Sequence, residues 1–167
     1  MGRDAAVLTL ADFAGRWVYS RRIADPSGAE IGRAEGELVF TPDDAGFRAD
    51  EAGTLTLTGG APVRAERRTL WRGEAEWIAV FFADGRPFHG FDPAEPAPRA
   101  LHDCPPDLYR VAYDFRGFPV WRTYWRVIGP RKDYGMVTLH ARDPVTLAKA
   151  SGIGQETGNA LEDWTWQ

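Results

Sequence analysis

No other stretch of the chain gathers as many kinds of side chain that could bind a ligand or react as residues 81–109. This stretch contains two of the three histidines and the only cysteine of the chain. Imidazole, thiol, carboxylate and guanidinium groups can bind metals and anions or act as a general base or nucleophile. The candidates for binding or catalysis are Arg86, His89, His102, Cys104, Asp107 and Tyr109. The sequence therefore predicts a site around the segments 84–89 and 102–109.

One interpretation of His89, His102 and Cys104 is a metal site. Imidazole and thiolate are suitable ligands for zinc or copper, and Asp103 or Asp107 would have to complete the set. However, the chain has neither a CxxC nor an HxxxH motif. We therefore expect no metal ion, and no other cofactor.

A second interpretation is catalytic, with His102, His89, Cys104 and Asp107 as the candidate residues. A neighbouring cation lowers the pKa of a thiol and makes Cys104 a stronger nucleophile. A histidine titrates in the range that a general base needs, as in a small hydrolase or isomerase. The structural alternative is a buried cysteine at a proline turn. The spacing of the four residues defines no reaction.

A third interpretation places the same groups at the polar end of a ligand cavity. Ligand pockets are mostly apolar and carry a few convergent polar groups. Arg86 could hold a carboxylate or phosphate through a bidentate fork, next to His89 and His102. In the structural alternative, the histidines bind backbone carbonyls and Arg86 pairs with Asp84 or Asp107. The aromatic wall candidates are Phe81, Phe88, Tyr109, Tyr113, Trp121 and Trp125.

Short alternating strands surround these groups. Bulky and polar residues alternate in segments such as 17–23, 109–115, 120–128 and 134–142, which predicts strands. Turn residues separate them, including Asp84-Gly85, a strong hairpin signal. We expect about eight to ten antiparallel strands, preceded by a short helical turn and closed into a barrel. Closure removes exposed edges, and a barrel of this size can hold one small ligand.

Two segments are predicted to lie outside the strands, and a third is assigned to one face of a strand. Residues 92–106 contain five prolines and are predicted to form a long ordered loop. The arginine-rich segment 64–68 is assigned to an outer face. A short helix is expected at 146–150, with Trp164 and Trp166 anchoring the C-terminus. The expected organisation is a lead-in turn at 1–12, a barrel at 13–142 and a tail at 143–167 that packs on the barrel.

The motif Phe13-x-Gly15-x-Trp17 resembles the G-x-W signature of lipocalins and other calycins. In that group an N-terminal turn closes one barrel end, and the tryptophan packs against an arginine of the last strand. The resemblance implies structural roles for Gly15, Trp17 and Arg142. Nitrobindin-like calycins hold haem through a histidine on a late strand, and His140 lies at a comparable place. A haem-binding barrel is therefore a further alternative.

Three more motifs narrow the resemblance. They are D-G-R-x-F-H at 84–89, H-x-C-x-x-D-x-Y at 102–109 and G-P-R-K-D-Y at 129–134. In this order they resemble a family of small bacterial and fungal lipocalin-like proteins that is catalogued as a domain of unknown function. The resemblance spans residues 13–142. It implies an all-β, lipocalin-like barrel with a shared His/Cys/Asp cluster, and it supplies no reaction.

Length and composition limit the function further. A chain of 167 residues is most simply one domain. A net charge of -4 argues against nucleic acid as the main partner. One cysteine fits a reducing compartment, and neither a signal peptide nor a membrane span is expected, which together predict a cytoplasmic protein. The leading hypothesis is binding of a small, partly apolar, anionic molecule. Seven tryptophans also permit a filled barrel that acts as an interaction domain.

Overall fold

The computed structural model describes residues 7–153 and is built almost entirely from antiparallel strands. A 3-10 turn at Leu10–Phe13 precedes the strands, and one helix, α1 (Pro144–Ile153), follows them. The strands are β1 (Gly15–Ala24), β2 (Glu30–Asp43), β3 (Gly46–Leu57), β4 (Val63–Glu74), β5 (Trp77–Phe82), β6 (Pro87–Phe91), β7 (Arg99–Cys104), β8 (Asp107–Asp114), β9 (Trp121–Gly129) and β10 (Lys132–Ala141).

These ten strands form one sheet that curls into a nearly closed barrel. Their order is β6-β5-β4-β3-β2-β1-β10-β9-β8-β7, so the ladder between β1 and β10 joins the two ends of the chain. The two outer strands, β6 and β7, contact each other, although no backbone ladder joins them within residues 7–153. The predicted all-β, lipocalin-like barrel with about eight to ten strands is confirmed.

Alternation along the strands separates the interior from the surface. In β9, Trp121, Thr123, Trp125 and Val127 are buried, while the residues between them are more exposed. Successive side chains point to opposite faces of a sheet in every strand, although β1, β8 and β10 also contain consecutive buried residues, so part of their outer face is covered. The interior is therefore lined by every second residue of each strand, and much of it is aromatic.

The 3-10 turn closes one end of the barrel. Its last residue, Phe13, is fully buried and contacts a ring of aromatic side chains at centroid distances of 5.4–5.9 Å. Edge-on packing of this kind stabilises aromatic pairs beyond the area that they bury. The rings around Phe13 are Phe40, Trp71, Phe115, Phe118 and Trp121.

Trp17 and Arg142 hold this end in place. The indole nitrogen of Trp17 donates to the carbonyl of Phe13 at 2.8 Å. The guanidinium of Arg142 lies 3.6 Å from the centroid of the Trp17 ring and donates to the carbonyls of Asp12, Ala14 and Arg16 at 2.9–3.1 Å. Gly15, between the turn and β1, has a φ of 90°, a backbone conformation that favours glycine.

The prediction of a loop throughout 92–106 is wrong for Arg99–Cys104, which form β7 at the edge of the sheet. The prolines flank this segment instead of interrupting it, with Pro98 before and Pro105 after, so its backbone N–H groups remain free to pair with β8. Residues 92–98 are not in a strand, although the Pro98 carbonyl accepts a hydrogen bond from the Tyr113 N–H at 2.9 Å.

Helix α1 leaves β10 directly and contacts β10 and β1. It contains the residues 146–150 for which the sequence predicts a helix. Trp164 and Trp166, the predicted anchor, lie outside the described residues. Between residues 7 and 153, no helix combines the length and the apolar character that crossing a bilayer requires.

We expect Arg142→Ala to lower the free energy of unfolding by roughly 1–3 kcal/mol, because three carbonyl hydrogen bonds and a cation–π contact are lost. Arg64→Ala is the matched control, since Arg64 is 73% exposed and pairs only with the exposed Glu66; it should cost less than about 0.5 kcal/mol. Urea unfolding monitored by tryptophan fluorescence measures both changes. Equal effects of the two substitutions would contradict this role for Arg142.

Candidate functional site

A small cavity lies inside the barrel, next to the aromatic cluster around Phe13. Its volume is about 40 Å³, enough for a few non-hydrogen atoms. Part of its wall is aromatic, and the rest carries an unusual number of polar groups. The aromatic side chains are Trp71, Phe88, Tyr113, Trp121 and Trp125, and the ionisable ones are Arg21, Glu51, Arg67, His89 and His140.

Strand register brings these residues to the same height in the barrel. Tyr113 of β8 pairs with Thr123 of β9, Thr123 with Thr138 of β10, and Thr138 with Arg21 of β1. Two residues along the same strands, Trp121 pairs with His140. The inward side chains of four neighbouring strands therefore meet at one level, although their positions in the sequence are far apart.

Two of the charged residues that line this cavity form a buried ion pair. Both guanidinium nitrogens of Arg21 lie 2.8 Å from the carboxylate oxygens of Glu51, and the two side chains are only 13% and 10% exposed. Arg21 also donates to the hydroxyl of Thr138 at 2.7 Å. Burial alone would raise the pKa of Glu51, but the hydrogen bonds and charge of Arg21 outweigh it, so the pKa of Glu51 is lowered.

Arg67 is held much more loosely. Its guanidinium lies 3.7 Å from Glu51 and 5.9 Å from the centre of the Trp125 ring, and its side chain is 45% exposed. Because Arg21 already neutralises Glu51, the charge of Arg67 is not balanced within the cavity. The ionised groups that line the cavity carry a net charge of +1.

Two histidines contribute neutral polar groups. His89 shares a hydrogen bond of 2.6 Å between its Nε2 and the hydroxyl of Tyr113. His140 lies flat on Trp121, with ring centroids 3.7 Å apart. Burial lowers the pKa of each histidine to about 3, so both rings are uncharged at neutral pH. Burial also raises the pKa of Tyr113.

Of the six predicted site residues, only His89 lines the cavity, together with the predicted wall residues Phe88, Tyr113, Trp121 and Trp125. Arg86, His102, Cys104, Asp107 and Tyr109 do not line it. Tyr109 precedes Tyr113 by four residues in β8, which corresponds to about 13 Å along a strand. The segments 84–89 and 102–109 therefore lie mostly at the edge where β6 and β7 meet and at the rim of the barrel.

The five remaining residues have other partners. Lys132 lies 2.9 Å from a carboxylate oxygen of Asp107 and 3.0 Å from the hydroxyl of Tyr109, at the surface. Arg86 pairs with Asp84 at 2.7 Å, which is one of the structural alternatives for this arginine. His102 packs against the rings of Phe82 and Phe88, and Cys104 is exposed at the end of β7.

This arrangement does not assemble the catalytic or metal sets proposed from the sequence. The exposed Cys104 pairs in register with Asp107 at the β7–β8 turn, whereas His89 lines the cavity. In the described part of the chain, no three His, Cys, Asp or Glu side chains form a group that could hold a metal ion. Cys104 is also not the buried cysteine of the structural alternative.

Haem does not fit beside His140 in this conformation. The imidazole is fully buried and covered by Trp121, and a cavity of about 40 Å³ has no room for a porphyrin. The haem alternative would therefore require the barrel interior to rearrange.

Sequence analysis missed the charged part of the cavity. The outer-face assignment of 64–68 is wrong for Arg67, which lines the interior. Arg67 is separated from the buried Thr69 and Trp71 by even numbers of residues, so it shares their face of β4. Glu51 likewise shares the face of the buried Ala49 in β3. Reading charged residues by strand parity would have found both.

Comparison with known proteins identifies the family. A family model described as "Family of unknown function (DUF6314)" matches residues 13–142, and the chain belongs to this family. A search of curated protein sequences finds no match.

Two solved structures support the fold. The S-type phycobiliprotein lyase CPES from Guillardia theta is similar with a TM-score of 0.58 and 7% identity, over 80% of this chain and 90% of that one. A DUF3598 family protein of unknown function from Nostoc punctiforme is similar with a TM-score of 0.50 and 13% identity. The second comparison covers 80% of this chain and 48% of the other protein, so this chain spans about half of that protein's length. At such identities the likeness concerns the fold alone.

Because both histidines are neutral in the folded protein, we expect its free energy of unfolding to fall as the pH is lowered from 7 to 5. The unfolded chain gains protons near the ordinary histidine pKa of 6.5, whereas folded His89 and His140 gain them only near pH 3, so acid favours unfolding. We expect the free energy of unfolding to be roughly 2–4 kcal/mol lower at pH 5 than at pH 7. Urea unfolding at both pH values measures it. His140→Phe should reduce the difference, and a stability that is the same at both pH values would contradict the prediction.

Proposed function

We propose that this DUF6314 family member binds a small, partly apolar anion in the cavity of its barrel. The observation that carries the proposal is the unbalanced charge of Arg67. Arg67 lines the cavity, reaches solvent and has no carboxylate nearer than 3.7 Å among the described residues. A guanidinium in this position can bind a ligand carboxylate through two parallel hydrogen bonds.

The remaining wall suits the apolar part of such a ligand. Trp71, Phe88, Trp121 and Trp125 present large rings to the cavity. Pockets that combine an apolar wall with a few convergent polar groups are typical of small-molecule sites. The volume of about 40 Å³ favours a ligand whose buried part has only a few non-hydrogen atoms. A longer ligand would extend past Arg67 towards solvent.

The histidines favour binding over acid–base catalysis. A general base works best when its pKa is near the pH of the reaction. Burial lowers the pKa of His89 and His140 to about 3, so each remains neutral and is a weak base. The exposed Cys104 does not line the cavity. The catalytic alternative therefore has less support than the binding function.

Native mass spectrometry of the purified protein is the direct test. We expect a small mass in addition to the chain under native conditions, and only the chain mass after denaturation. The released compound can then be identified by its mass and fragmentation. A protein that carries no small molecule and takes up none from a panel of small carboxylic acids would contradict the proposed function.

Arg67→Gln tests how the anion is held. We expect propionate to bind the natural protein more tightly than its neutral counterpart propionamide, and Arg67→Gln to weaken propionate binding by roughly tenfold or more, since a charge-assisted bidentate contact is lost. Propionamide binding should change little. Chemical-shift titration in ¹H–¹⁵N spectra measures these affinities.

Arg64→Gln provides the control. Arg64 lies on the same strand but is exposed and pairs with Glu66, so its loss removes one positive charge without touching the cavity. Propionate should bind this variant almost as it binds the natural protein. A similar loss in both variants would mean that the overall charge of β4, and not a contact from Arg67, attracts the anion.

A further inference from the structure

We infer that two copies of this chain associate through the first half of β4, residues 63–68, so that their two sheets join edge to edge about a two-fold axis. The pairing involves the edge of the sheet and not the cavity, so it goes beyond the proposed function. Two observations carry it. This half of β4 has a neighbouring strand on one side only, and its charges are complementary to those of a second copy in the antiparallel orientation.

The free side of this segment is defined by the strand register. Residues 63–68 pair with β3, whereas the ladder between β4 and β5 begins only at Thr69. No other backbone–backbone hydrogen bond of residues 63–68 occurs in the described part of the chain. The backbone groups of an antiparallel strand point alternately to its two sides, so every second residue of this segment has an N–H and a C=O without a strand to bind.

This edge is also open to solvent. Five of its six residues are exposed, and only Ala65 is half-buried. An exposed edge can pair with a strand of another molecule, and natural proteins usually prevent this with prolines, bulges or charged side chains. Residues 63–68 contain no proline and pair with β3 without a bulge. The charged side chains therefore decide which strand can approach.

The charges on the outer face of this edge suit a second copy. Arg64 and Glu66 flank Ala65, so an antiparallel pairing centred on Ala65 places Arg64 opposite Glu66 of the second copy, and Glu66 opposite its Arg64. Opposite charges that face each other across two strands stabilise the pair, and like charges weaken it. Within one copy, a guanidinium nitrogen of Arg64 already lies 2.6 Å from a carboxylate oxygen of Glu66. The four side chains together would form one network of alternating charge.

The inner face of the same pairing brings no like charges together. Ala65 meets Ala65 of the second copy at the two-fold axis, and Val63 lies opposite Arg67 of the second copy. Val63 is 54% exposed in the single chain, so the pairing would cover apolar surface. Arg68 lies just outside the paired residues, and its charge is bound to Asp50, with a nitrogen–oxygen distance of 2.5 Å.

Charge selects this register over the alternatives. A pairing centred on Arg64, Glu66, Arg67 or Arg68 would place that charged residue opposite itself, which weakens a pair of strands. A pairing centred between two residues would put inner side chains opposite outer ones, and a continuous sheet does not allow this. Within residues 64–68, only Ala65 can therefore lie on the two-fold axis.

Sedimentation equilibrium tests whether the dimer forms. Only residues 63–67 of each copy lie opposite one another, so the interface is at the small end of the range for specific complexes. We expect a dissociation constant on the order of 100 µM. The natural protein should sediment as a monomer at micromolar concentrations and mostly as a dimer near 1 mM. A monomer at every concentration would overturn the inference.

Glu66→Arg tests the charge pattern. It places two arginine side chains opposite each other at both symmetry-related positions, and we expect it to raise the dissociation constant tenfold or more. Glu37→Arg is the matched control, because Glu37 is also an exposed partner of an arginine, Arg16, but lies on β2, which has a neighbour on both sides. It should dimerise like the natural protein. Equal effects of the two substitutions would contradict pairing through β4.

Exchanging the two charges tests the register. The double variant Arg64→Glu/Glu66→Arg again places opposite charges across the two-fold axis, so its dissociation constant should return to within about threefold of that of the natural protein. A double variant that dimerises as weakly as Glu66→Arg alone would overturn the pairing centred on Ala65.

Nuclear magnetic resonance locates the interface without any substitution. In ¹H–¹⁵N spectra, the amide signals of residues 63–68 should shift or broaden as the protein is concentrated from micromolar to about 1 mM, since their backbone groups gain a partner strand. Signals of β9 provide the control, because this strand already pairs with β8 and β10. Concentration-dependent changes that leave residues 63–68 unaffected would place the contact elsewhere and overturn the inference.

Discussion

The ion pair between Arg21 and Glu51 is the interaction on which the barrel interior depends. It joins β1 to β3, and through Thr138 it also reaches β10. Two charges removed from water are tolerated only when their geometry is good and their remaining hydrogen bonds are made. The bidentate contact meets this condition and fixes a polar centre in an interior that is otherwise largely aromatic. Removing either partner would leave a buried charge without compensation, which usually costs several kcal/mol.

This ion pair also determines what the other cavity groups can do. Because Arg21 makes the bidentate contact with Glu51, the second arginine, Arg67, reaches Glu51 only at 3.7 Å, and its side chain is 45% exposed. The surrounding rings exclude water, and the same exclusion keeps His89 and His140 neutral. A lining with neutral histidines and a net charge of +1 would suit a monoanion better than a cation or a dianion, since the charge of a bound monoanion would be balanced and not exceeded. The proposed preference for a monoanion thus rests on one buried pair and on the absence of a second carboxylate among the described lining residues.

The sequence predicted the barrel because alternation is a local property of each strand. Trp121, Thr123, Trp125 and Val127 reveal their common face without knowledge of any neighbour. The cavity depends instead on the register between strands, which brings Tyr113 of β8 to the same level as Arg21 of β1. This register cannot be predicted from the spacing of residues along the chain. The segment 102–109 illustrates the difference, since its polar groups are close in sequence but are distributed over an edge strand, a turn and the start of β8. The charged neighbours of Arg67 favour an outer face, but its parity with Trp71 places it on the inner face.

The motifs that carry the family resemblance have a structural explanation at the end of the barrel opposite Phe13. Asp107 belongs to H-x-C-x-x-D-x-Y, and Gly129 and Lys132 belong to G-P-R-K-D-Y. A side chain at Gly129 would bring its Cβ to 2.0 Å from a carboxylate oxygen of Asp107, so the Asp107 carboxylate would have to move from its present position. Lys132 then binds Asp107 and Tyr109 and joins the β8 and β10 ends across β9. These contacts hold the barrel rim, and of the three motifs only D-G-R-x-F-H contributes to the cavity lining, through Phe88 and His89. Two of the three motifs that identify this family therefore lie away from the candidate ligand site.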